Sequence, residues 1–530
     1  MKSLNKRYVN WIMLSFLLLL FLATRLFRLK VVPFGAHVMH IDEIGAAYDA
    51  FCISTFGVDQ YLYKFPVYFK CFGEGQNALY TYLAAIVFKI AGISIFKFRL
   101  VAVSCAFAAF ISLYFLGKRL MNETYALVAM ALMISMPVFM MSEHWGLECY
   151  LFLSFAMIAM SLTIKAVAGK NRGWYLVAGI AWGLTLYNYA ITYVTIPPFI
   201  VLTVLYLLYL RKADLKEAVL FVSPVVLLGI PLLIQQLVMM GVIPPFTFLG
   251  VIDFWKPEYY RYGSISISNF WSNIRTSSFI ALGSDFISYN SNEWFGTIYY
   301  ISIPFVFIGL AAVIKKTIVS VRTKTYDAWS IVFLYYLSAR IVILFVTRPN
   351  VNRVNGLYLA YLLFTVLGIK LAVEKVNKKW FAAIIVASYL VLFITFSYFY
   401  FTYLGYNDGH YRTHLDFTEG DVVDTQPGEA IRLAKNIAGG REVYALMNNG
   451  WYTDYAIALF SETPPYDYSN DEDYENDSYN GVKWQLPEEL DLTGKVVYVI
   501  DNDLQHITDY LTSEGFNCDS TFDEYKIVYK

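Results

Sequence analysis

The stretch His40-Ile41-Asp42-Glu43-Ile44-Gly45-Ala46-Ala47-Tyr48 directly follows the first hydrophobic segment of the chain. It carries two adjacent carboxylates at a hydrophobic boundary. An ionised carboxylate loses solvation there and is usually paired, hydrated or used in chemistry. Helical spacing puts Asp42 and Asp49 on one face, with Glu43 beside it. The pattern also fits an ordinary helix start, because acidic residues are favourable near a helix N-terminus.

The composition is that of an integral membrane protein. Of the 530 residues, 58% are hydrophobic and 15% are charged, whereas soluble domains carry about 25% charged residues. The formal net charge is zero, and no nucleic-acid partner is expected. The five cysteines show no metal-ligand or redox-motif spacing. We expect them to be unpaired, with a Cys52–Cys71 disulfide outside the membrane as the alternative.

Apolar runs that are long enough, or nearly long enough, to cross a bilayer recur throughout the first 403 residues. The run at the N-terminus looks like a signal sequence but lacks a small-residue cleavage site, so we interpret it as a retained span. The predicted spans lie at about 9–27, 99–117, 124–142, 150–168, 174–191, 194–210, 217–240, 297–314, 327–347, 354–373 and 379–403. This pattern predicts an α-helical polytopic membrane protein with about 11 transmembrane helices.

The topology depends on one shorter run, Asn77–Gly92. If this run lies flat on the outer surface and Met1 is cytoplasmic, the Lys and Arg clusters between later spans face the cytoplasm. If the run spans, the clusters face outward, against the positive-inside rule. We therefore predict a juxtamembrane helix here, in a multi-pass protein of the plasma membrane. Arg25, Arg28 and Lys30, at the outer end of the first span, are the contrary signal.

This topology divides the chain into a transmembrane domain, residues 1–403, and an outer domain, residues 404–530. The transmembrane domain has two large outer loops, at about 28–98 and 241–296. In the tail, Asp, Glu, Asn and Gly replace the apolar runs. Strand-like pieces at Lys495–Ile500 and Tyr525–Tyr529 flank a helical stretch near Leu504–Ser513, which predicts a small extracytoplasmic α/β domain. We interpret the acidic segment 466–481 as a solvated loop, because its spacing matches no known calcium loop.

Polar residues gather on the outer side in this topology. They are Asp42, Glu43, Glu74, Arg99, Glu143, His144, Glu148, Arg348 and Arg353. A generic helix bundle has no reason to collect acids and arginines at one mouth, so we predict a site at the outer surface.

Three outer turns are candidates for this site. In Ser142–Glu148, Glu148 or His144 is a second polar group facing Asp42, or Glu148 merely caps the next helix. In Thr347–Gly356, two arginines and three asparagines suit a phosphate, or the arginines only extend to the membrane surface. The Tyr187–Tyr189 turn lines the site or belongs to an interfacial aromatic belt.

The order of these motifs resembles the GT-C glycosyltransferases, which use polyprenyl-phosphate-linked sugars. Protein O-mannosyltransferases and the lipid A aminoarabinose transferase are the most similar in pattern. The shared elements, in chain order, are Asp42-Glu43, the amphipathic Leu79–Leu83, Gly92, Arg99-Leu100, Gly117-Lys118-Arg119, Pro137 and Glu148. The resemblance covers about residues 1–200 and extends to Arg353-Val354-Asn355-Gly356.

The resemblance implies that Asp42 is a general base, that Glu148 lines the active site, and that Arg348 and Arg353 hold the carrier phosphate. We predict Glu43 as a further catalytic residue, which with Glu148 and His144 orients the acceptor or the sugar. The other predicted substrate-binding residues are His144, Arg99, Tyr82, Glu74, Tyr189 and Asn355. The chain departs from the family pattern at Glu143-His144, where relatives often have an arginine.

These residues predict an integral membrane glycosyltransferase that moves a sugar from a polyprenyl-phosphate donor to a protein, glycan or lipid acceptor. No Gly-rich phosphate loop is evident, which agrees with a lipid-linked donor. We predict no obligatory metal, with an ion shared by Asp42 and Glu148 as the alternative. A transporter or flippase for lipid-linked glycans, or a polysaccharide polymerase, is the competing class. A transporter more naturally carries polar residues at the midplane and at both mouths.

Overall fold

The architecture is taken from a computed structural model. It describes residues 2–71, 75–169, 171–257, 267–285, 291–345, 349–403, 422–447, 453–469, 478–479, 482–483 and 490–530.

Helices dominate the chain up to residue 403. They are α1 (Lys2–Leu26), α2 (Ile41–Phe56), α3 (Ala78–Ala91), α4 (Ile95–Leu120), α5 (Glu123–Ser135), α6 (Pro137–Ser142), α7 (Glu148–Ala168), α8 (Gly173–Thr185), α9 (Thr192–Tyr209), α10 (Leu215–Met239), α11 (Phe270–Leu282), α12 (Ile303–Thr323), α13 (Ala328–Ile343), α14 (Val351–Val354), α15 (Leu357–Val376) and α16 (Lys379–Tyr398). Short strands lie between them: β1 (Val38–His40), β2 (Tyr68–Phe69), β3 (Gln76–Asn77), β4 (Phe246–Phe248) and β5 (Ile252–Phe254).

The predicted class, a polytopic helical membrane protein, is confirmed. Among the described residues, eight helices are long and apolar enough to cross a bilayer. Two of the other three predicted spans correspond to the shorter apolar helices α5 and α13, and the third contains the 13-residue helix α8. The run at Asn77–Gly92 forms α3, which is also a shorter apolar helix. The count of about 11 spans and the direction of each span stay predictions.

The predicted span at 124–142 is two helices rather than one. Helix α5 ends at Ser135, Met136 is extended with φ −68° and ψ 135°, and Pro137 begins α6. A residue before proline is disfavoured in the helical region, and proline has no N–H for the helix ladder. The break therefore follows from Pro137, and it sets α6 and the turn after it apart from α5.

Close contact between α12 and α15 depends on two glycines. A Cβ on Gly309 would lie 2.0 Å from the Phe364 carbonyl oxygen, and a Cβ on Gly368 would lie 2.0 Å from that of Phe305. Small residues let two helix backbones approach in this way in membranes. Both helices belong to the main apolar core, which also contains residues of α4, α5 and α7.

The tail forms the predicted small α/β domain. Its strands are β6 (Val422–Asp424), β7 (Glu442–Leu446), β8 (Ser478–Tyr479), β9 (Val482–Lys483), β10 (Val496–Asp501), β11 (Asn517–Asp519) and β12 (Tyr525–Tyr529). Its helices are α17 (Gln426–Ala438), α18 (Thr453–Phe460), α19 (Pro465–Ser469) and α20 (Gln505–Ser513). Six strands form one sheet in the order β11-β12-β10-β7-β9-β8, in which β10 is parallel to β7 and antiparallel to β12.

Two expectations about the outer parts of the chain have different outcomes. None of the five cysteines forms a disulfide, so the alternative Cys52–Cys71 bond is absent from this structure. The domain boundary at residues 403/404 and most of the acidic segment 466–481 lie outside the described residues. Both therefore stay predictions.

Candidate active site

Asp42 lies in the first turn of α2, and its carboxylate is accessible to solvent. His40 caps this helix: its Nδ1 accepts the Asp42 N–H at 3.1 Å, and its own N–H donates to the Glu43 carboxylate at 3.1 Å. This is a capping box, in which the helix dipole also favours a nearby carboxylate. Oδ2 of Asp42 lies 3.7 Å from His40 Nδ1, and 37% of the side chain is exposed. Asp42 is therefore held on a fixed helix end and can still be reached by a substrate.

Glu43 points in the opposite direction, into the protein. Its carboxylate is fully buried and pairs with Arg99, which donates from Nε at 2.9 Å and from Nη2 at 2.7 Å. Gly146 donates its N–H to the same carboxylate at 2.6 Å. Both oxygens therefore already accept hydrogen bonds from the protein. These contacts favour a positioning role for Glu43 and do not support a contact with substrate.

Arg99 is fully buried and joins α4 to the backbone that leads into α2. Besides Glu43, its guanidinium donates to the carbonyl groups of Leu29, Lys30, Val32 and Val38. The bidentate Glu43–Arg99 pair thus connects α2, α4 and the turn at Gly146. Such a pair orients the helix end that carries Asp42. Because the guanidinium nitrogens of Arg99 already donate to protein acceptors, its contacts favour this positioning role, and its predicted contact with substrate stays a prediction.

Glu148 begins α7 on the same side as Asp42. Its Oε2 accepts a hydrogen bond from Gln76 Nε2 at 2.8 Å, and the side chain is largely buried. The Gly146 N–H donates to Glu43, the neighbour of Asp42, so the turn that precedes Glu148 lies against the first turn of α2. Gln76 was not predicted, and its only sequence signal is its position just before the amphipathic α3.

Two asparagines in the stretch after Pro349 contact the first turn of α7. Asn355 Nδ2 donates to the Cys149 carbonyl at 2.6 Å, and Asn352 Oδ1 accepts from the Tyr150 hydroxyl at 2.8 Å. Arg353 lies half-buried on the short helix α14. The structure therefore brings Asn355 and the α14 turn to the N-terminus of α7, beside Glu148.

Aromatic rings line the contact between the start of α2 and the start of α7. The Trp145 ring packs 5.1 Å from the His40 ring and 5.4 Å from the Tyr150 ring, measured between centroids. Tyr189 packs against this same group from its outer turn. Trp145 and Tyr150 were not predicted as site residues, because aromatic residues are common throughout this sequence and carried no distinguishing signal.

His144 and its neighbour Glu143 belong to a different network. His144 is fully buried, with Nδ1 2.6 Å from the Met140 carbonyl and Nε2 3.0 Å from the Thr24 carbonyl. Burial lowers the pKa of its imidazole to about 3. Glu143 pairs with the buried Arg25 at 2.6 Å. These contacts favour a structural role for His144. The pair with Glu143 explains how the charge of Arg25 is accommodated in the last turn of α1.

The remaining predicted residues are not all brought together. Tyr82 donates its hydroxyl to the Pro66 carbonyl at 2.8 Å, which holds α3 against the first outer loop. Glu74 and Arg348 lie outside the described residues. Their predicted contacts with substrate therefore stay predictions.

A second pair of acids, Asp49 and Asp59, is buried in the first outer loop. Asp49 accepts the Gln60 N–H at 3.0 Å, and Asp59 accepts the N–H groups of Tyr61 and Tyr63 at 2.9 and 2.8 Å. Burial, with a smaller effect from Asp59, raises the pKa of Asp49 well above its ordinary value. Burial also raises the pKa of Asp59 to about 7. The folded protein therefore binds protons here more tightly than the unfolded chain does.

This pair predicts that the protein is less stable at high pH. Both folded-state pKa values are raised, so the protonated carboxyl groups contribute fully to the free energy of unfolding below the ordinary Asp pKa of about 4. This contribution is lost as the pH rises through the pKa of about 7 of Asp59. We expect thermal unfolding of wild type between pH 5 and pH 8 to show a falling apparent Tm. Asp49→Asn keeps a side-chain oxygen that can accept the Gln60 N–H, and it should have a higher Tm than wild type at pH 8.

The matched control for this prediction is Asp503→Asn, which removes an exposed carboxylate in the outer domain. It should leave the pH dependence of the apparent Tm unchanged. An Asp49→Asn protein that is less stable than wild type at pH 8 would contradict the prediction.

The described residues do not form a metal site of their own. No three His, Cys, Asp or Glu side chains within that part of the chain come together as ligands. Asp42 and Glu148 offer two carboxylates, which is fewer than the protein ligands of usual catalytic metal sites. Metal independence stays a prediction.

Comparison with known proteins gives one family model and several folds. The model for dolichyl-phosphate-mannose-protein mannosyltransferase matches residues 77–238, less than half of the chain. ArnT from Cupriavidus metallidurans bound to undecaprenyl phosphate matches with a TM-score of 0.53 and 12% identity, covering 98% of this chain and 97% of that one. This chain has the GT-C glycosyltransferase fold.

A second GT-C structure agrees with this assignment. The Archaeoglobus fulgidus oligosaccharyltransferase in complex with Zn and sulfate matches with a TM-score of 0.51 and 10% identity, covering 98% of this chain and 73% of that chain. Comparison with curated protein sequences gives no match. The predicted GT-C resemblance is thus confirmed for the fold, and identities this low carry no information on donor or acceptor.

Proposed function

We propose that this protein transfers a sugar from a polyprenyl-phosphate carrier to an acceptor at the outer face of the plasma membrane, with Asp42 as general base. The observation that carries the proposal is the contrast between two adjacent acids. Glu43 is fully buried against Arg99, whereas Asp42, one residue away on the same helix end, has 37% of its side chain exposed. A site that only needed a capped helix would not require a solvent-accessible carboxylate in this position.

The reaction needs one proton transfer and one displacement. The acceptor hydroxyl or amine attacks the anomeric carbon while Asp42 takes its proton, and the bond from that carbon to the phosphate oxygen breaks. The electron pair of that bond leaves with the polyprenyl phosphate. A positioned carboxylate contributes roughly 10²–10⁴-fold to such a reaction.

The remaining groups have separate tasks in this mechanism. Arg353, with Arg348, binds the departing phosphate and stabilises the charge that develops on it. Glu148, oriented by Gln76, and Asn355 bind the sugar or the acceptor. In the ArnT structure the bound molecule is undecaprenyl phosphate, which supports a lipid-phosphate donor for the related fold. The acceptor is a protein, a glycan or another lipid.

The test is sugar transfer by the purified protein in reconstituted membranes that contain polyprenyl-phosphate sugars. We expect release of polyprenyl phosphate together with a glycosylated acceptor, or slow hydrolysis of the donor when no acceptor is present. Movement of intact donor across the bilayer without any turnover would support a flippase instead.

Metal independence is tested in the same assay. We expect the rate of transfer to be unchanged by excess EDTA, because the proposed step uses a carboxylate and arginines only. Loss of activity with EDTA that is restored by a divalent ion would overturn this prediction. It would also point to an ion shared by Asp42 and Glu148.

A further inference from the structure

Strand β6 of the outer domain pairs with β1, which leads directly into the candidate active site. The pairing is antiparallel, with Val38 opposite Asp424, Met39 opposite Val423 and His40 opposite Val422. His40 is also the N-cap of α2, and Asp42 is two residues further along. A strand from the C-terminal domain thus directly contacts the backbone that positions Asp42.

Side chains extend this pairing beyond the strands. Thr425 is fully buried and donates its N–H to the His37 carbonyl at 2.7 Å. Its hydroxyl lies within hydrogen-bond distance of that carbonyl, at 2.9 Å, and of the Glu429 carboxylate, at 2.8 Å. Glu429 in turn lies 3.1 Å from His37 Nδ1. His37 is therefore held by the backbone N–H and hydroxyl of Thr425 and by the carboxylate of Glu429.

The outer domain also packs along α2 itself. Val423 and residues of α18 share one apolar core with Ile44, Ala47 and Tyr48 of α2. The Tyr48 hydroxyl donates to the Thr463 carbonyl at 3.0 Å. Beyond the helix, the Phe56 and Tyr466 rings meet with centroids 5.6 Å apart. The contact therefore runs along the whole length of α2.

We propose that β6 is a positioning element of the active site, and that the outer domain acts in catalysis by holding β1 and His40 so that Asp42 is aligned for proton transfer. This inference rests on the proposed function. A misplacement of about 1 Å at a reacting group can lower a rate roughly 10²-fold. The pairing supplies such alignment for Asp42 without any contact between the outer domain and the substrate.

Two substitutions test this role in the full-length chain. Val423→Asp places a charge in the apolar contact with α2, and Thr425→Val removes the hydroxyl that joins His37 to Glu429 while keeping the side-chain shape. We expect Val423→Asp to lower kcat about 10- to 100-fold and Thr425→Val to lower it less. The KM for donor should change little in both proteins. Lys483→Gln, which breaks an exposed pair with Glu442 between β9 and β7, should match wild type.

A cross-link separates positioning from a general loss of structure. Val38 and Asp424 are directly opposite, and facing residues of paired strands lie within the Cα distance that a disulfide spans. In the Thr425→Val protein, Val38→Cys with Asp424→Cys should restore kcat when oxidised and lose that gain when reduced. A structural defect elsewhere would not respond to this bond.

The outcomes separate this inference from the proposed function. If wild type turns over no polyprenyl-phosphate sugar, both are wrong. If wild type turns over but Val423→Asp and Thr425→Val keep its kcat, only the positioning role is overturned. A rise in acceptor KM at full kcat would likewise overturn it, because the outer domain would then bind the acceptor.

Discussion

Asp42→Asn is expected to lower the rate of sugar transfer by about 10²–10⁴-fold while leaving the protein folded. The amide cannot take the proton from the acceptor, but it has nearly the shape of the carboxylate. The Asp42 side chain makes no salt bridge with Arg or Lys in the described part of the chain and is partly exposed, so its replacement leaves no buried charge unpaired. The measurement is transfer from a polyprenyl-phosphate sugar in reconstituted membranes, with apparent Tm measured on the same preparation.

Asp503→Asn serves as the control for the loss of a carboxylate on the outer side, and it should transfer sugar at the wild-type rate. A folded Asp42→Asn protein with full activity would contradict the assignment of Asp42 as the general base. The candidates for that task would then be Glu148 or the acceptor itself.

Glu43→Gln, one residue away, is expected to act through stability. It leaves the fully buried Arg99 without its carboxylate partner. Breaking a buried ion pair by removing one partner costs about 3–5 kcal/mol. We therefore expect a clear fall in apparent Tm, together with reduced activity at temperatures where the protein is still folded. The fall in apparent Tm is measured by thermal unfolding of Glu43→Gln and wild type in detergent.

The matched control is Glu374→Gln, which removes an exposed partner of Lys370 on α15. Exposed pairs contribute about 0–1 kcal/mol, so its apparent Tm should stay near that of wild type. Equal Tm values for Glu43→Gln and wild type would show that Glu43 does not stabilise the fold. That result would favour its predicted role as a catalytic residue.

The sequence was a good guide to fold class and to the outer domain. Hydrophobic runs near 20 residues have few solutions other than membrane helices. The alternating pieces at Lys495–Ile500 and Tyr525–Tyr529 do form strands β10 and β12, with α20 between them. Periodicity was less useful at α5, α8 and α13, because prolines and turn residues shorten helices inside a long apolar run.

The sequence was a weaker guide to the role of each polar residue. His144 and Glu148 lie in one turn and looked equally suited to face Asp42, but His144 bonds to carbonyls of α1 and α6 instead. Gln76 was not predicted, because its contact with Glu148 joins residues 72 positions apart. Contacts across such distances are set by how helices pack.

What the sequence by itself determined is the membrane class and the adjacent Asp-Glu pair after the first hydrophobic segment, since both follow from local composition and order. Tertiary structure alone decided which acid is buried and which is open. Adjacent residues on a helix point about 100° apart, and only the presence of Arg99 and Gly146 on one side shows that Glu43 faces inward. The contact of β6 with β1 belongs to the same kind of information, because it joins residues nearly 400 positions apart.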